Sequence, residues 1–302
     1  MNEALAIIGV TASGKTALAV RLADAIGGEI ISADSRQVYR RMNIGTGKDI
    51  SEYSFSGKQI PYHIIDICEP GYRYNLYEYR RDFNRCFSDI RERGKIPVIC
   101  GGTGLYVETV LRGYAMPDVP ENLYLRESLA GKTLPELEVI LSSYKNLHNI
   151  TDTDTRKRAI RAIEIAEFYK NTPAEELQDN PLNALLIGIN IDRESRRWNI
   201  TQRLHTRLND GMVAEVENLL AEGIPPENLI YYGLEYKYLT EYITGKLTYD
   251  DMVRLLEIAI HQFAKRQMTW FRGMERRGLK IHWIDYGLSL DDKVSEVIKL
   301  CS

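Results

Sequence analysis

Four short runs of mostly apolar residues punctuate the first third of the chain: ALAIIGV (4–10), GEIISA (28–33), YHIIDI (62–67) and IPVICGG (96–102). They are rich in β-branched residues and too short for helices, so each predicts a strand buried in a parallel sheet. Between them, KTALAVRLADAIGG (15–28) has the three- and four-residue apolar spacing of a helix and ends at a glycine stop, and a second helical stretch covers roughly 76–93. Strands alternating with helices predict an α/β fold, a parallel sheet with helices on both faces, in which ligands gather at the carboxyl ends of the strands.

The pattern then changes. AMPDVPEN (115–122) is a proline-marked break, and from 123 to about 180 the chain is charged, helical in spacing and poor in strand signals, up to a second polar boundary at NTPAEELQDNP (171–181). ALLIGINI (184–191) predicts another buried strand, followed by one long helix over 196–223. These shifts predict a core in two parts, 1–114 and 183–302, interrupted by an inserted all-helical lobe at 115–182. A further helix is predicted over HQFAKRQMTWFRGMERRGLK (261–280), with Leu256, Ile260, Phe263, Gln267, Trp270 and Met274 along one face. No internal repeat or low-complexity segment is present.

Composition narrows the function classes. With 302 residues, 39 Lys/Arg and 42 Asp/Glu, the chain has room for a large core and carries a net charge of −3, so any nucleic-acid contact must come from local basic patches. Cys68, Cys86, Cys100 and Cys301 form no C-x-x-C pair, and none of the 5 histidines is at metal-ligand spacing from another. Neither structural zinc nor disulfides are expected, which suits a reducing cytoplasm. No run approaches ~18 uninterrupted apolar residues, and MNEALAIIGV lacks a basic leader region, so a soluble cytoplasmic protein is expected.

The sharpest chemical signal is GVTASGKT (9–16), a phosphate-loop pattern between a predicted strand and a predicted helix. Backbone N–H groups of Gly9, Thr11, Ala12, Ser13 and Gly14 would face a diphosphate at the positive end of the helix dipole, Lys15 would reach the phosphates and the Thr16 hydroxyl would ligate Mg2+. The pattern does not say whose diphosphate is held. Asp34 follows the second strand and opens onto the same crevice, where its carboxylate could accept a proton while Ser35 and Gln37 bond a polar ligand; equally, Asp34 and Ser35 could cap a following turn. Thr103 in CGGTGLYVETVL (100–111) offers a hydroxyl at a third strand end, unless the glycines only make a tight turn. Asp66 in YHIID could organise Mg2+ as in phosphate-loop ATPases, or be a core or capping residue.

Two basic stretches have both a plain and a functional reading. Lys265, Arg266 and Arg272 leave the apolar face of the 261–280 helix and could contact phosphates, or simply be solvated. Gln267 interrupts that apolar face, and its burial would require partners. Arg156, Lys157, Arg158 and Arg161 cluster at a predicted helix start in the lobe.

Taken in order, GVTASGKT, DSRQVY, IGTGKD (44–49), YHIID, GGTGLY (101–106), TRKRAIRAIEI and FAKRQMTWFRG (263–273) resemble the tRNA dimethylallyltransferases, also called tRNA isopentenyltransferases, from the phosphate loop to about residue 275. The resemblance implies that the phosphate loop holds dimethylallyl diphosphate with Mg2+. It implies that the acceptor is the exocyclic amine of an adenosine beside the anticodon, that Asp34 is the general base, and that Thr103 and Arg126 support the reacting centre. Asp34, Ser35, Arg36 and Gln37 would meet the adenosine, and Thr103 and Arg126 would also bind tRNA. Asp154, Thr155, Arg156, Lys157 and Arg158 would touch the tRNA stem-loop, and Lys265, Arg266, Gln267, Trp270 and Arg272 its backbone near the core.

The partners implied are tRNA and the prenyl donor, with no membrane and a monomeric chain. The chain departs from the family pattern at Val10, where proline is usual, at Tyr62, at YGLEYK (232–237) and at Ile260-His261. An ATP-dependent small-molecule kinase would use the same loop but gives the lobe no reason to be basic. An adenylate isopentenyltransferase acting on free nucleotides would not need the basic stretches, and a non-catalytic tRNA-binding protein leaves Lys15, Thr16 and Asp34 unexplained.

Overall fold

The computed structural model describes residues 2–114, 119–144, 153–172 and 180–301. The chain divides into two compact units, Met1–Arg112 together with Leu182–Ser302, and Gly113–Pro181. Residues 115–118 and 173–179 of the two predicted boundary segments lie outside the described residues.

The larger unit is built on a parallel sheet. Its strands are β1 (Ala4–Ile8), β2 (Gly28–Ser32), β5 (Tyr62–His63), β6 (Ile96–Gly101), β7 (Ala184–Asn190) and β8 (His282–Asp285), while β3 (Ser54–Phe55) and β4 (Lys58–Gln59) make a separate small hairpin. The order is β5-β2-β6-β1-β7-β8, with every pairing in the large sheet parallel. The chain leaves β1, skips a place to form β2 and later returns through β6, so the topological reversal falls beside β1, where a doubly wound sheet opens a crevice.

The side-chain period of two explains why the strands read as continuous apolar runs. Ala4, Ala6 and Ile8 of β1 enter one core with Ile31, Ile99 and Leu186, while Leu5 and Ile7 enter a second with Ile30, Val98 and Ile187. Helices α1 (Lys15–Ile26) and α12 (Leu290–Cys301) cover the second core. The first core is covered by α2 (Leu76–Glu92), α3 (Gly104–Arg112), α7 (Arg193–Asn209), α8 (Met212–Ala221), α9 (Pro226–Tyr231), α10 (Leu234–Ile243) and α11 (Tyr249–Arg276). Both faces are thus sealed, as a parallel sheet requires.

Three expectations are corrected. The strand predicted over 62–67 stops after His63, because Ile64 and Asp66 take left-handed φ values of 62° and 56° and turn the chain off the sheet edge. The single helix predicted over 196–223 is two, broken where Gly211 adopts φ 97° before α8. The helix predicted over 261–280 is the second half of a 28-residue helix, α11.

The smaller unit contains α4 (Leu123–Leu129), α5 (Leu134–Ser142) and α6 (Arg156–Lys170) around a core of Leu129, Leu137, Leu141, Ala159 and Ile163. Its polar pin is Glu164, which is almost fully buried. Glu164 accepts two bonds from Arg126, both at 2.9 Å, one from Arg161 Nη1 at 2.6 Å and one from Asn122 N–H at 2.7 Å. Burial pushes the Glu164 carboxyl up, but these donors outweigh it and hold its pKa below the usual glutamate value.

A candidate active site at the phosphate loop

The crevice at the carboxyl end of the sheet has a volume of about 330 Å3 and is reached by Lys15, Thr16, Asp34, Gln37, Thr103 and Gln267. The ends of β1, β2 and β6 each contribute. The loop after β1 turns on Ala12 at φ 59° and Gly14 at φ 79°, alternating left-handed residues that aim successive N–H groups to one side, and α1 begins at Lys15. A second opening, lined by Ala12, Ser13, Gly14, Glu52, Asn199 and Gln202, shares Lys15, Thr16 and Arg203 with the first. The phosphate loop is therefore approached from two sides.

Not every loop residue assigned to the anion is free for it. Gly9 is buried, and a side chain there would strike the Ser13 hydroxyl, so it shapes the loop from beneath. The N–H of Thr11 is already taken by Gln267 Oε1 at 2.9 Å. The N–H groups of Ala12 through Thr16 are the ones left as candidates for an anion.

Asp34 stands one residue past Ala33 at the end of β2. Its Oδ1 accepts from Arg36 N–H at 2.9 Å, a capping-type bond, but the residues that follow form a turn and no helix. The second oxygen has no hydrogen-bond partner among the described residues. Thr103 holds the neighbouring backbone: its Oγ1 accepts from Ser35 N–H at 3.1 Å, while its own N–H donates to Ala33 O at 3.2 Å. Gly101 is required here, because a Cβ would lie 2.2 Å from Ala33 O. Gln37 is also fixed, accepting from Ser32 Oγ at 3.3 Å and donating to Gly47 O at 3.2 Å. The tight-turn reading of the GGTG segment holds, and through Thr103 that turn anchors the backbone beside Asp34.

The electrostatics of the crevice are set by burial. Desolvation lowers the pKa of the Lys15 ammonium, Arg203 adds to the depression, and Asp34 and Glu52 pull it back. Cys100 also sits close, but burial pushes its thiol up to about 12, so it is neutral and gives Lys15 no counter-charge at physiological pH. A bound anion would supply the missing partner.

Three further charged residues line the crevice that the sequence did not single out. Arg203 and Arg207 project from successive turns of α7; Arg203 Nη2 bonds Asp49 Oδ2 at 2.9 Å, and Arg207 Nη2, buried and without a hydrogen bond among the described residues, lies 3.8 Å from the same oxygen. Burial and Arg203 lower the Arg207 pKa to about 10. Glu235, at the start of α10, has its pKa raised by burial and by Asp34, against the pull of Arg207 and Arg203. The i, i+4 arginines in RLHTR were the available signal, but a solvated helix face gives the same spacing.

Asp66 does not join the crevice. It pairs with Lys48, whose ammonium is buried and also donates to Tyr39 O at 2.6 Å and Asn43 Oδ1 at 3.1 Å. Asp66 itself is only half-buried, and it serves as the counter-ion of the buried Lys48.

Helix α11 closes another wall. Its buried seam runs through Leu256, Ile260, Ala264, Met268, Phe271 and Met274, whereas Phe263 and Trp270, expected in the seam, are exposed at the crevice, with Trp270 lying over Gly104. Lys265, Arg266 and Arg272 are exposed beside them. Arg277 anchors the helix end to buried Glu108 through two bonds of 2.6 Å and lies over the Trp270 ring at 5.6 Å. In the helical unit, Asp154 to Arg158 are all exposed; Thr155 caps α6, Arg158 pairs with Asp154, and Arg156 donates to Ala130 O. Arg126 is bound there by Glu164 and by Glu121 at 2.7 Å.

Comparison with known proteins agrees with this geometry. Residues 37–274 match the family model described as IPP transferase, and residues 2–60 match one described as isopentenyl transferase. The chain is 61% identical over 298 residues to tRNA dimethylallyltransferase 1 of Parabacteroides distasonis, covering 99% of this chain and 97% of that one. It is 62% identical over 295 residues to tRNA dimethylallyltransferase 2 of Bacteroides fragilis, covering 98% and 96%. Among solved structures, the tRNA delta(2)-isopentenylpyrophosphate transferase of Staphylococcus epidermidis is 30% identical, with a TM-score of 0.71 over 100% of this chain and 99% of that one.

Proposed function

The chain belongs to the IPP transferase family, and from that premise we propose that it transfers a dimethylallyl group from dimethylallyl diphosphate to N6 of an adenosine next to the anticodon of tRNA, releasing diphosphate. The observation that carries this reading is the meeting, in one crevice, of an anion-binding loop with a carboxylate anchored at the next strand end.

As the allylic C–O bond breaks, negative charge gathers on the departing diphosphate. The N–H groups of Ala12 to Thr16 and the ammonium of Lys15 are aimed at that charge, and the desolvation of the Lys15 ammonium strengthens its interaction. N6 of adenine is a poor nucleophile because its lone pair is delocalised into the ring. As that lone pair bonds carbon, the open oxygen of Asp34 takes the N6 proton. Such a base cannot be reached inside a stack, so the adenosine is extruded into the crevice. Two openings onto the phosphate loop suit a donor arriving from one side and an acceptor from the other.

A Mg2+ ion would be held by oxygen ligands, the Thr16 hydroxyl together with the diphosphate itself, with the Glu52 carboxyl lining the same opening. When bound, it would neutralise charge on the leaving group. Arg126 stays in the proposal as a residue that supports the reacting centre; within its own unit it is bonded to Glu164. The reading carries a monomer acting in the cytoplasm, where tRNA is; no helix among the described residues is long and apolar enough to cross a membrane.

Digestion of treated tRNA to nucleosides should give one prenylated adenosine, located beside the anticodon; a prenyl group elsewhere in the tRNA would overturn the assignment. Lys265→Ala with Arg272→Ala should weaken tRNA binding and reduce the salt slope by about 1–2, one for each phosphate no longer neutralised. An unchanged slope in a binding titration would remove these residues from the interface.

A further inference from the structure

Gln267 was expected to touch tRNA, but its amide is buried at 8% exposure and spent inside the protein. Oε1 accepts from Thr11 N–H at 2.9 Å, and Nε2 donates to Gly102 O at 2.9 Å. One side chain from α11 therefore ties the phosphate loop after β1 to the glycine loop after β6. The fit is close: a Cβ on Gly102 would lie 2.5 Å from Gln267 Nε2 and 3.7 Å from Lys15 Cε, so only glycine leaves room for the amide.

The residue after the tied N–H is Ala12, a non-glycine residue at φ 59°. Such a conformation is unfavourable by itself and persists when neighbours over-determine it. Here both sides are held, because Ala12 O accepts from Asn199 Nδ2 at 3.1 Å, and Asn199 is steadied by a 2.8 Å bond to Tyr286 OH. Two side-chain amides thus brace the left-handed turn that directs the loop's N–H groups at an anion. Gln267 lies on the same helical turn as exposed Lys265, Arg266 and Trp270.

We propose that Gln267 is a positioning residue that holds the phosphate loop in its anion-binding shape and couples that shape to the seating of α11, the helix whose outer face takes tRNA. The second half of this inference rests on the function proposed above; the first does not. If α11 settles when tRNA docks, Gln267 carries the adjustment to Thr11, and by linkage an anion in the loop improves tRNA binding by the same factor.

The test uses the full chain, inorganic pyrophosphate with Mg2+ as the loop probe, and unmodified tRNA, each titrated alone and in the presence of the other. Gln267→Met keeps the side-chain volume and removes both bonds; Asn199→Ala removes the other brace from a residue away from the basic face. For a braced loop, Gln267→Met weakens pyrophosphate binding by about tenfold or more, leaves the affinity for tRNA alone within about threefold, and abolishes the mutual enhancement seen in the wild type. Asn199→Ala, read in the same titrations, weakens pyrophosphate without affecting tRNA alone. Pyrophosphate bound as in the wild type by both variants overturns the proposal, as does a Gln267→Met protein that loses affinity for tRNA alone, since that marks a direct tRNA contact. Wild-type protein that binds pyrophosphate but not tRNA contradicts the proposed function while leaving the brace standing or falling on the pyrophosphate titrations.

Discussion

Asp34→Asn lowers prenyl transfer by at least about a hundredfold, while binding of tRNA and of pyrophosphate each stays within about threefold of the wild type. The asparagine is chosen because its side-chain oxygen still accepts the 2.9 Å bond from Arg36 N–H, and Thr103 still holds Ser35 N–H, so the turn at the end of β2 is preserved. What is removed is an oxygen able to take the N6 proton. Single-turnover measurements with bound donor and tRNA separate the loss of chemistry from a loss of binding. Undiminished single-turnover transfer would take Asp34 out of the mechanism and leave it as a capping residue.

Lys15→Met has an effect of similar size with a different signature. Transfer is expected to fall by about 10^2–10^3-fold, and pyrophosphate binding with it, because in the proposed mechanism the ammonium faces the same anion in substrate and product. Stability moves the other way. Burial opposes the Lys15 charge more strongly than Asp34 and Glu52 support it, and Lys15 forms no salt bridge among the described residues. Replacing the ammonium by an apolar chain of similar length therefore holds or raises the melting temperature of the ligand-free protein. A variant that lost activity through unfolding would show the opposite shift.

The parts of this architecture that could be read from the chain are those where local pattern and tertiary role coincide. β1, β2, β6 and β7 are apolar on both faces because two cores need them to be, and the phosphate loop carries its flanking strand and helix with it. β5 was overestimated because Ile64 and Ile65 are buried although they have left the sheet; burial, not strand geometry, made them apolar. Asp34 and Thr103 were legible as strand-end polar residues, but the bond that lets Thr103 anchor the Asp34 turn spans 68 positions in the sequence.

Charge was harder to read. Arg203, Arg207 and Glu235 differ in no local feature from solvated helix residues, and only the approach of α7 and α10 to the strand ends makes them part of the crevice. Phe263 and Trp270 follow the apolar spacing of α11 yet line an opening, since spacing identifies a face without saying what lies against it. Gln267 was conspicuous as a polar residue among apolar ones, and the need for partners followed from that, but not their identity at Thr11 and Gly102.

The most direct measurement supplies purified protein and Mg2+ with radiolabelled dimethylallyl diphosphate and with equal amounts of unmodified tRNA and AMP. Label should pass to tRNA, with one diphosphate released for each group transferred, and should leave AMP untouched. Label accumulating on AMP, or tRNA left unlabelled while added ATP is consumed at the phosphate loop, would contradict the account.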